Sequence, residues 1–559
     1  MSSIFRAWRD ASRVERWAFV LVALTTGGSL IFTAIYPAVG GDADAHLNWL
    51  NQFSTLFRLG VHYPRWLPLS NCGFGSPSFY FYPPLPYWCA SLFRFFTSFA
   101  PSGYYNAVAF IATIGSLFTA AWLLRQYTSN PLRIVTASLL YSFVAYRFAD
   151  VFVRDALGEH WALTFLPLVF LRHESRLRTI AFIAIGWAGI ILSNVPVLVL
   201  CMMTVGFVLL IEHDARAIMN QAASFLIAVL IGACFLLPAA ALKHLIHVEH
   251  LVRSALMGTT GFAVLDLFMF YGPLRVLTSV TLVAGCMFVV SRHPTASERR
   301  WWWIALLACA LQVPVFWFLW NGPGLREFVQ FSWRFDAFVM LAISVMYALT
   351  TRKLDHWLII GLACVTLISI LRMSNKVWLH PKLRYDAFRI DSPEYIPKWG
   401  PADFHAPEAL VRNHADDPPA MLMGLTKSLD VIRLTESSPI GYGFDVRLSK
   451  AAPVRFHLFY WPYWKAQSAE SAIDLRPDPD GFVTALLPSG SYKLSLTLTK
   501  STEEKVGAVL SWAGLIVLAG LIVAGRRQDA SVSSHMTTEP AMDPKNLNWR
   551  RAASSDPSE

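Results

Sequence analysis

Apolar runs close to bilayer thickness recur along most of this sequence, and short segments rich in arginine separate them. A helix needs about 20 predominantly apolar residues to cross the hydrocarbon core of a membrane, because each residue adds only ~1.5 Å. A soluble domain could not bury so much apolar surface, since 55% of the residues are hydrophobic and only 15% are charged. The sequence therefore predicts a mainly α-helical, polytopic membrane protein.

The apolar runs predict twelve transmembrane helices, which would place both termini on one side of the membrane. The predicted spans are 17–39, 104–124, 134–153, 157–171, 179–193, 195–211, 219–237, 273–290, 301–320, 335–349, 356–371 and 506–523. Arginines precede the first span and then follow every second span, as at Arg125, Arg172 and Arg526. By the positive-inside rule this side is cytoplasmic. The same distribution explains the net charge of +10 and argues against a nucleic-acid partner, which needs a basic patch outside such loops.

Two long outer segments divide the chain. We predict a transmembrane module over 1–371, including a first outer loop at 40–103, and then an extracytoplasmic, mostly β domain over 372–505. A last transmembrane helix at 506–525 and a cytoplasmic disordered tail at 526–559 follow. In the β domain, alternating stretches such as VRFHLFYW and SYKLSLTLT are separated by the turn sequences PDPDG and LPSG. This pattern is typical of a small antiparallel β-sandwich.

The first outer loop contains one apolar segment, 84–100, that could be mistaken for a further span. Arg94 lies near its middle, and a guanidinium in hydrocarbon is costly. We therefore predict a helix that lies in the outer interface or re-enters from outside. Cys72 and Cys89 share this loop and could pair in an oxidising compartment, whereas the other five cysteines lie in apolar runs as packing residues.

The same loop begins with GGDADAHLNW, in which Asp42, Asp44 and His46 directly follow the first span. If a helix starts here, Asp42 and His46 are four residues apart and share one face. A carboxylate supported by a neighbouring histidine is suited to act as a general base. The alternative is that Asp42 caps the N-terminus of that helix, where Asp is favoured. Spacing alone does not decide between the two.

Further along the loop, GVHYPRWLPLSNCGFGSPSFYFYPPLPYW is dense in aromatic residues, proline and glycine. A D-x-x-x-H pattern after the first span, then YPRW, then GFGSPSFYFYPPLPY, is similar to the 6-pyruvoyl-tetrahydropterin-synthase-related membrane proteins. Those proteins in turn resemble the GT-C superfamily of polytopic membrane glycosyltransferases. VRDALGEHWALTFLPLVFL, FVQFSWRF, SPEYIPKW and FYWPYWKA extend the resemblance in the same order along the chain.

This resemblance implies a GT-C-like fold of about twelve transmembrane helices, with a β-sandwich-like domain before the last helix. It implies an enzyme of a bacterial inner (plasma) membrane that moves a sugar from a polyprenyl-phosphate-linked donor to an extracytoplasmic glycan, lipid or protein. The essential acid of such enzymes typically lies in the first outer loop, which maps onto Asp42 or Asp44. The spacing of Asp42 to His46 matches the family pattern, so the resemblance favours Asp42, but the DAD sequence leaves the choice between the two open.

A departing lipid phosphate needs cationic donors, and arginine suits this task because its planar fork can bind two oxygens at once. Four arginines of the predicted outer face are candidates: Arg65, Arg154, Arg253 and Arg334. We predict Arg154, Arg334 and Arg65 as ligands of the donor phosphate. The alternative is that they only extend to the interface, as arginines at the ends of spans commonly do.

The predicted substrate-binding residues are Glu159, Tyr82, Glu394 and Tyr395. Glu159 could orient Arg154, contact the acceptor or serve as a structural ion partner. Tyr82 belongs to an aromatic run that could stack on sugar faces, although aromatic residues at a membrane edge more commonly form the interfacial belt or the core. Glu394 and Tyr395 begin the outer domain and could reach back over the site.

The sequence KHLIHVEH places His244, His247 and His250 three residues apart, a spacing that can chelate a metal. Their order is not that of the H-E-x-x-H motif, so we assign no metal ligand. Departure of a phosphate does not strictly require a divalent cation, and the cofactor is left open.

Two other classes of function compete with the glycosyltransferase. A transporter or flippase of lipid-linked glycans should show internal repeats and broken or polar helices at the middle of the bilayer. No clear repeat is visible in the sequence. A non-catalytic scaffold would tolerate Asp42→Asn and Asp44→Asn without loss of function.

Overall fold

A computed structural model describes residues 2–35, 42–247, 273–316, 329, 331–350, 352–379, 393–400, 406–423, 430–469 and 471–537. Within these ranges the protein is mainly helical, and two β-sheets precede a long final helix. This confirms the predicted helical class and the predicted position of the β region. Arg253 and His250 lie outside the described residues.

The helices of the first half are α1 (Ser2–Asp10), α2 (Arg13–Ile35), α3 (Ala43–Arg58), α4 (Ser78–Phe81), α5 (Leu85–Phe93), α6 (Pro101–Leu124), α7 (Pro131–Phe143), α8 (Tyr146–Phe152), α9 (Leu157–Val169), α10 (Arg176–Ile191), α11 (Val195–Glu212), α12 (Ala215–Ile231) and α13 (Ala233–Leu242). Those of the second half are α14 (Pro273–Val290), α15 (Arg299–Ala310), α16 (Asp336–Leu349), α17 (Lys353–Leu379), α18 (Ala406–Asn413) and α19 (Thr502–Thr537). Short 3₁₀ segments include Lys243–Leu245, Ser332–Phe335 and Pro393–Tyr395.

Several helices are long and apolar enough to cross a membrane, which indicates a multi-pass membrane protein. Among the described residues there are seven such segments, or eight if the bent pair α12 and α13 counts as one span. The seven are Arg13–Thr33, Pro101–Leu124, Pro131–Phe152, Val195–Glu212, Ser332–Leu349, Lys353–Met373 and Thr502–Gln528. Within the described ranges the structure therefore supports seven or eight spans, whereas the sequence predicted about twelve for the whole chain.

The difference arises because helices form at all twelve predicted positions but several are too short to be spans. α9 has 13 residues, α10 has 16 and α15 has 12. A helix of 13 residues rises only about 20 Å, well short of the hydrocarbon core. Nearly every residue of α9 is buried against other helices, so its apolar composition reflects contact with protein. Composition alone cannot distinguish a helix that is buried in protein from one that faces lipid.

Two helical segments are broken, and side chains from other helices satisfy the backbone at each break. Between α7 and α8, Ala145 adopts a left-handed conformation (φ +50°), and its N–H donates to Thr366 Oγ1 at 2.9 Å. Between α12 and α13 the axis bends by 74°. There, Ser511 of α19 accepts from the Cys234 N–H and donates to the Ile231 carbonyl, both at 2.8 Å. Backbone groups freed by a break within a membrane need such partners.

The arginine-bearing helix ends gather on one face of the bundle. Arg133, at the start of α7, pairs with Glu15 at the start of α2 (2.9 Å). Arg300, at the start of α15, pairs with Glu212 at the end of α11. Ser175 Oγ, before α10, lies 3.1 Å from Gln528 Oε1 of α19. The assignment of this face to the cytoplasm stays a prediction.

The β region consists of two antiparallel sheets. The strands are β1 (Ala420–Leu422), β2 (Val431–Ser438), β3 (Gly441–Leu448), β4 (Ala452–Phe459), β5 (Trp464–Ser468), β6 (Ala472–Ile473), β7 (Arg476–Pro477), β8 (Phe482–Leu487) and β9 (Gly490–Leu498). One sheet has the order β1-β4-β8-β7 and the other β2-β3-β9-β5-β6. Phe444 of β3 and Phe456 of β4 meet between the two sheets, with ring centroids 5.3 Å apart. Apolar side chains on alternate positions thus form a shared core, as in a sandwich.

This β region packs directly on the first outer loop. The Phe459 N–H at the end of β4 donates to the Phe74 carbonyl (2.9 Å), and the Phe74 ring stacks on His457 with centroids 3.9 Å apart. The His457 Nε2 also lies 3.0 Å from the Cys72 carbonyl oxygen. The Gly- and Pro-rich part of the loop is therefore covered by a sheet and held in a defined position.

Some details differ from the predicted boundaries. The helix α17 continues to Leu379, past the predicted limit at 371, and α19 begins at Thr502. A capping box fixes that start, because Ser501 N–H donates to Glu504 Oε2 (2.9 Å) and Glu504 N–H donates to Ser501 Oγ (3.1 Å). α19 continues to Thr537, so the first part of the predicted tail 526–559 is helical. Between Arg526 and Glu539 the sequence contains no glycine or proline that would end the helix earlier; residues 538–559 lie outside the described residues.

The segment 84–100 contains only the nine-residue helix α5, which is too short to cross a membrane. Its Arg94 is held by α3, with Nη1 2.9 Å from both Asn51 Oδ1 and Ser54 Oγ. Cys72 and Cys89 are not joined, and no disulfide links any of the seven cysteines, all of which are among the described residues.

Candidate functional site

Asp42 stands at the N-terminus of α3 with an exposed side chain. Its carboxylate makes no capping hydrogen bond to the helix. The backbone instead holds the residue in place: the Asp42 N–H donates to the Arg154 carbonyl (3.0 Å), and the Asp42 carbonyl accepts from the His46 N–H (3.1 Å). The sequence left two interpretations of Asp42 open, a general base or a helix cap. The structure does not support the interpretation in which its side chain caps α3.

His46, one turn further along α3, is buried beneath Asp42. Its Nδ1 lies 2.6 Å from the Tyr87 hydroxyl oxygen, and the rings of Trp49, Tyr82 and Tyr105 surround it. Burial lowers the pKa of His46 to about 4, although the nearby Asp42 carboxylate acts in the opposite direction. His46 is therefore neutral near pH 7 and contributes no positive charge. Asp44 is half-buried in the first turn of α3.

Arg154 and Arg334 converge on one buried carboxylate, that of Glu159. Arg154 Nη1 lies 2.9 Å and Arg334 Nε 3.0 Å from Glu159 Oε2. The Tyr146 hydroxyl donates to the other oxygen, Oε1. Arg154 Nη1 also contacts Asp150 Oδ1 at 2.7 Å. Three of the predicted site residues are thus brought together: Arg154 and Glu159, which are five residues apart, and Arg334, which is distant in the sequence.

The backbone geometry explains how this convergence arises. Asp150 and Arg154 are one helical turn apart, on and just after α8. Asp155 then adopts φ +55°, which turns the chain sharply so that α9 starts at Leu157 and presents Glu159 in its first turn. Arg334 comes from the 3₁₀ segment Ser332–Phe335, and its Nη1 donates to the Val329 carbonyl (2.7 Å).

Both arginines keep unused donors. A guanidinium has five N–H groups. All described contacts of the Arg154 side chain are made by Nη1, so Nη2 and Nε have no protein partner among the described residues. Arg334 Nη2 is likewise without a contact there, and its Nε lies close to Glu159 but is poorly aligned for a hydrogen bond. Each guanidinium therefore has N–H groups that no described protein atom accepts while it stays next to Glu159.

Tyr82 is buried close to both Asp42 and this ion-pair cluster. Burial and the carboxylates of Asp42 and Glu159 raise the pKa of Tyr82, while Arg334 lowers it. The net pKa is well above its usual range, so the hydroxyl stays protonated and can donate. Gly158 leaves room for it, because a Cβ at this position would come within 3.0 Å of the Tyr82 oxygen.

Arg65, the third predicted phosphate ligand, lies outside this cluster. Its side chain is 6% exposed, and Nε pairs with Glu504 Oε1 of α19 at 2.9 Å. Nη2 donates to the Cys234 carbonyl, and the guanidinium lies 3.8 Å from the centre of the Tyr63 ring. A buried guanidinium needs a carboxylate, and the nearest one belongs to the last helix.

The predicted residues of the outer segment lie next to α3. Tyr395 is buried, with its ring centroid 5.8 Å from that of Trp49, and Glu394 is half-buried in the same 3₁₀ segment. The Lys398 N–H donates to the Leu245 carbonyl (2.9 Å). The segment 393–400 thus runs along the aromatic side of the site.

The sequence-based interpretation missed Tyr146, Asp150 and Arg147. Tyr146, Asp150 and Arg154 recur every four residues, a helical spacing that could have linked them. Arg147 is 1% exposed and donates to Ser116 Oγ (2.6 Å) and the His160 carbonyl (3.1 Å). Charged residues inside an apolar run generally indicate function, so Arg147 and Asp150 could have been identified from the sequence.

The histidines of KHLIHVEH that are described do not form a metal centre. His244 Nδ1 lies 2.9 Å from the Ala241 carbonyl oxygen and His247 Nε2 lies 3.3 Å from that of Gly400. No group of three His, Cys, Asp or Glu side chains suited to a metal occurs in the described part of the chain.

No protein-family profile and no curated protein matches the chain. Among solved structures, the chain is distantly similar to a cryo-EM structure of the arabinofuranosyltransferase AftD from Mycobacteria, with a TM-score of 0.37 and 14% identity over 66% of this chain. A mutant of the same enzyme gives 0.38 and 13% over 66%. The chain covers only 27% and 28% of the length of these two structures.

Proposed function

We propose that this protein is a membrane glycosyltransferase that moves a sugar from a polyprenyl-phosphate-linked donor to an extracytoplasmic acceptor. The observation that carries the proposal is the arrangement of an exposed carboxylate, Asp42, beside two arginines with unused donors, Arg154 and Arg334. The hydrogen bond from Asp42 N–H to the Arg154 carbonyl fixes the two parts relative to each other.

In this proposal Asp42 takes the proton of the acceptor hydroxyl as the sugar is transferred. A general base must be able to reach the acceptor, and the exposed, uncapped carboxylate of Asp42 meets this requirement. His46 supports the base from below as a neutral side chain held by Tyr87. Asp44 remains the alternative base, since it lies in the first turn of the same helix.

Arg154 and Arg334 stabilise the phosphate that leaves. Negative charge develops on this group in the transition state, and donors held in place before the reaction stabilise it most effectively. Glu159 holds both guanidiniums, so its role is to position the arginines. Tyr82 can donate to the sugar or the acceptor from its position close to both Asp42 and Glu159. The proposal uses no cofactor and leaves a contribution from a divalent cation open.

The test compares Asp42→Asn with Asp44→Asn in cells from which the parent gene has been deleted. Mass spectrometry of the cell-envelope glycans would show which sugar and acceptor are lost with the protein. We expect Asp42→Asn to resemble the deletion while the variant reaches the membrane at the parent level, and Asp44→Asn to retain transfer. Full transfer by both variants would refute the assignment of the base and favour a scaffold.

A transporter or flippase of lipid-linked glycans is the second candidate, because broken helices are typical of transport sites. The breaks at Ala145 and between α12 and α13 are of this kind. The two functions are separated in proteoliposomes by following a labelled polyprenyl-phosphate sugar. Transfer produces free polyprenyl phosphate, whereas transport moves the intact donor across the bilayer.

A further inference from the structure

A groove opens on the arginine-bearing face of the bundle, at the opposite end of α9 from the proposed site residue Glu159. It lies between the ends of α9 and α11 and the starts of α10, α12 and α15, with a volume of about 460 Å³ including its open mouth. Its floor is apolar and includes Ile183, Val205 and Val208. Its rim carries Arg172, Arg300 and Glu212.

The rim has an excess of positive charge. Arg300 binds Glu212 through two N–H groups, so these two charges cancel. Arg172 lies 3.6 Å from the same carboxylate and is 59% exposed, so most of its donors face solvent. Asp214, which caps α12 by accepting from the Arg216 and Ala217 N–H groups, adds a second carboxylate near Arg172, and Arg216 adds a third guanidinium beside it. Three guanidiniums against two carboxylates leave an excess positive charge that one further anion can balance.

The backbone at Arg172 is fixed before any ligand arrives. Arg172 N–H donates to Gln126 Oε1 (3.2 Å), and Gln126 Nε2 donates to the Arg172 carbonyl (2.6 Å). Binding an anion would therefore cost only the freedom of the side chain. Arginine is well suited to phosphate oxygens because its N–H groups form a planar fork.

The position of the groove indicates that the anion belongs to a lipid. Glu212 is the last residue of the candidate span Val195–Glu212, which puts the rim at the level of the headgroups and the floor beside the acyl chains. A free phosphate gains nothing from an apolar floor, whereas an acyl chain does. Basic pockets between helices at a membrane surface are known to hold anionic headgroups.

We propose that this groove binds one anionic phospholipid, with its phosphodiester on Arg172 and Arg300 and an acyl chain against Ile183, Val205 and Val208. The site is independent of the proposed glycosyltransferase activity, so either can fail without the other.

The experiment uses the full chain in nanodiscs of phosphatidylcholine with and without phosphatidylglycerol. Native mass spectrometry counts the retained phosphatidylglycerol, and thermal unfolding reports stabilisation by the bound lipid. We expect retention of phosphatidylglycerol and a higher Tm for the parent, and about five-fold weaker binding in Arg172→Gln, equivalent to ~1 kcal/mol for one arginine near a charged surface. Val208→Trp, which fills the floor without changing charge, should also lose the lipid.

Arg125→Gln is the matched control, since Arg125 is exposed on the same face but does not line the groove. Each variant must unfold at the parent Tm in pure phosphatidylcholine, which shows that its fold is intact. The proposal is overturned if Arg125→Gln weakens binding as much as Arg172→Gln, because diffuse surface charge would then suffice. It is also overturned if inorganic phosphate raises the Tm as phosphatidylglycerol does, or if phosphatidylglycerol has no effect.

Discussion

The Asp42 N–H donates a hydrogen bond to the Arg154 carbonyl at 3.0 Å. This contact joins the first turn of α3 to the loop between α8 and α9, which are separate in the sequence. It places an exposed carboxylate next to the cluster in which Arg154 and Arg334 share Glu159. The backbone of Asp42, and not its side chain, joins α3 to this loop, so the carboxylate is not used in holding the structure together.

The first prediction concerns the stability of Asp42→Ala. Because the Asp42 side chain makes no capping hydrogen bond, we expect the free energy of unfolding to change by less than about 0.5 kcal/mol. Asn194→Ala is the control, since Asn194 Oδ1 does cap α11 by accepting from the Val197 N–H (3.0 Å), and should cost about 1 kcal/mol. Thermal unfolding in detergent measures both. An equal loss for the two variants would show that Asp42 serves as a cap after all.

The second prediction concerns Glu159→Gln. This substitution removes the carboxylate shared by Arg154 and Arg334, and leaving buried cations unpaired typically costs about 3 kcal/mol. We expect a lower unfolding temperature together with loss of sugar transfer, because both guanidiniums lose their fixed position. Exposed Asp474→Asn, which disrupts a surface pair with Arg476, should leave both unchanged. A stable, active Glu159→Gln variant would contradict the positioning role.

The third prediction concerns the pH dependence of stability. The pKa of His46 falls from 6.5 to about 4 on folding. Between these values the unfolded chain binds a proton that the folded chain does not, so stability must fall as the pH drops from 6.5 toward 4. The total contribution is about 3 kcal/mol, and above pH 6.5 it is constant. Denaturation at a series of pH values gives the free energy of unfolding as a function of pH. Below pH 6.5 this free energy should fall more steeply for the parent than for His46→Gln. The same slope for both proteins would contradict the burial of His46.

The fourth prediction concerns the ion pair of Arg65 and Glu504, which joins the first outer loop to α19. Both side chains are largely buried, so Arg65→Gln and Glu504→Gln should each destabilise the protein, and the double variant should lose less than the sum. We expect a coupling of about 1–3 kcal/mol in a double-mutant cycle. The exposed pair Arg476 and Asp474 should give less than about 0.5 kcal/mol. Additive losses at Arg65 and Glu504 would show that they act separately.

The fifth prediction concerns Gly158→Ala. Glycine to alanine within a helix normally stabilises by about 0.5–1 kcal/mol, as we expect for Gly206→Ala, where no atom lies within 4 Å of the new Cβ. At Gly158 the Cβ would come 2.7 Å from the Ser193 carbonyl oxygen and 3.0 Å from the Tyr82 hydroxyl. Tyr82 must then move, so transfer should fall and stability should not rise. A more stable, fully active Gly158→Ala variant would refute this role.

Much of the fold could be predicted from local sequence patterns. Helices form at each predicted apolar run, strands form where polar and apolar residues alternate, and arginine-bearing helix ends share one face. Part of the candidate site could also be predicted, because Asp42, Arg154, Arg334 and Glu159 belong to short motifs. The number of spans could not be predicted, since buried helices such as α9 have the same composition as helices that face lipid.

The sequence by itself determined the class of protein, the position of the β region and the placement of Asp42 at the start of a helix. Each of these depends on residues that are neighbours in the chain. Only the tertiary structure decided that Arg154 and Arg334 meet at Glu159, and that Arg65 is bound instead by Glu504. A buried charge is stabilised by whichever opposite charge the fold brings next to it, and that partner can lie hundreds of residues away.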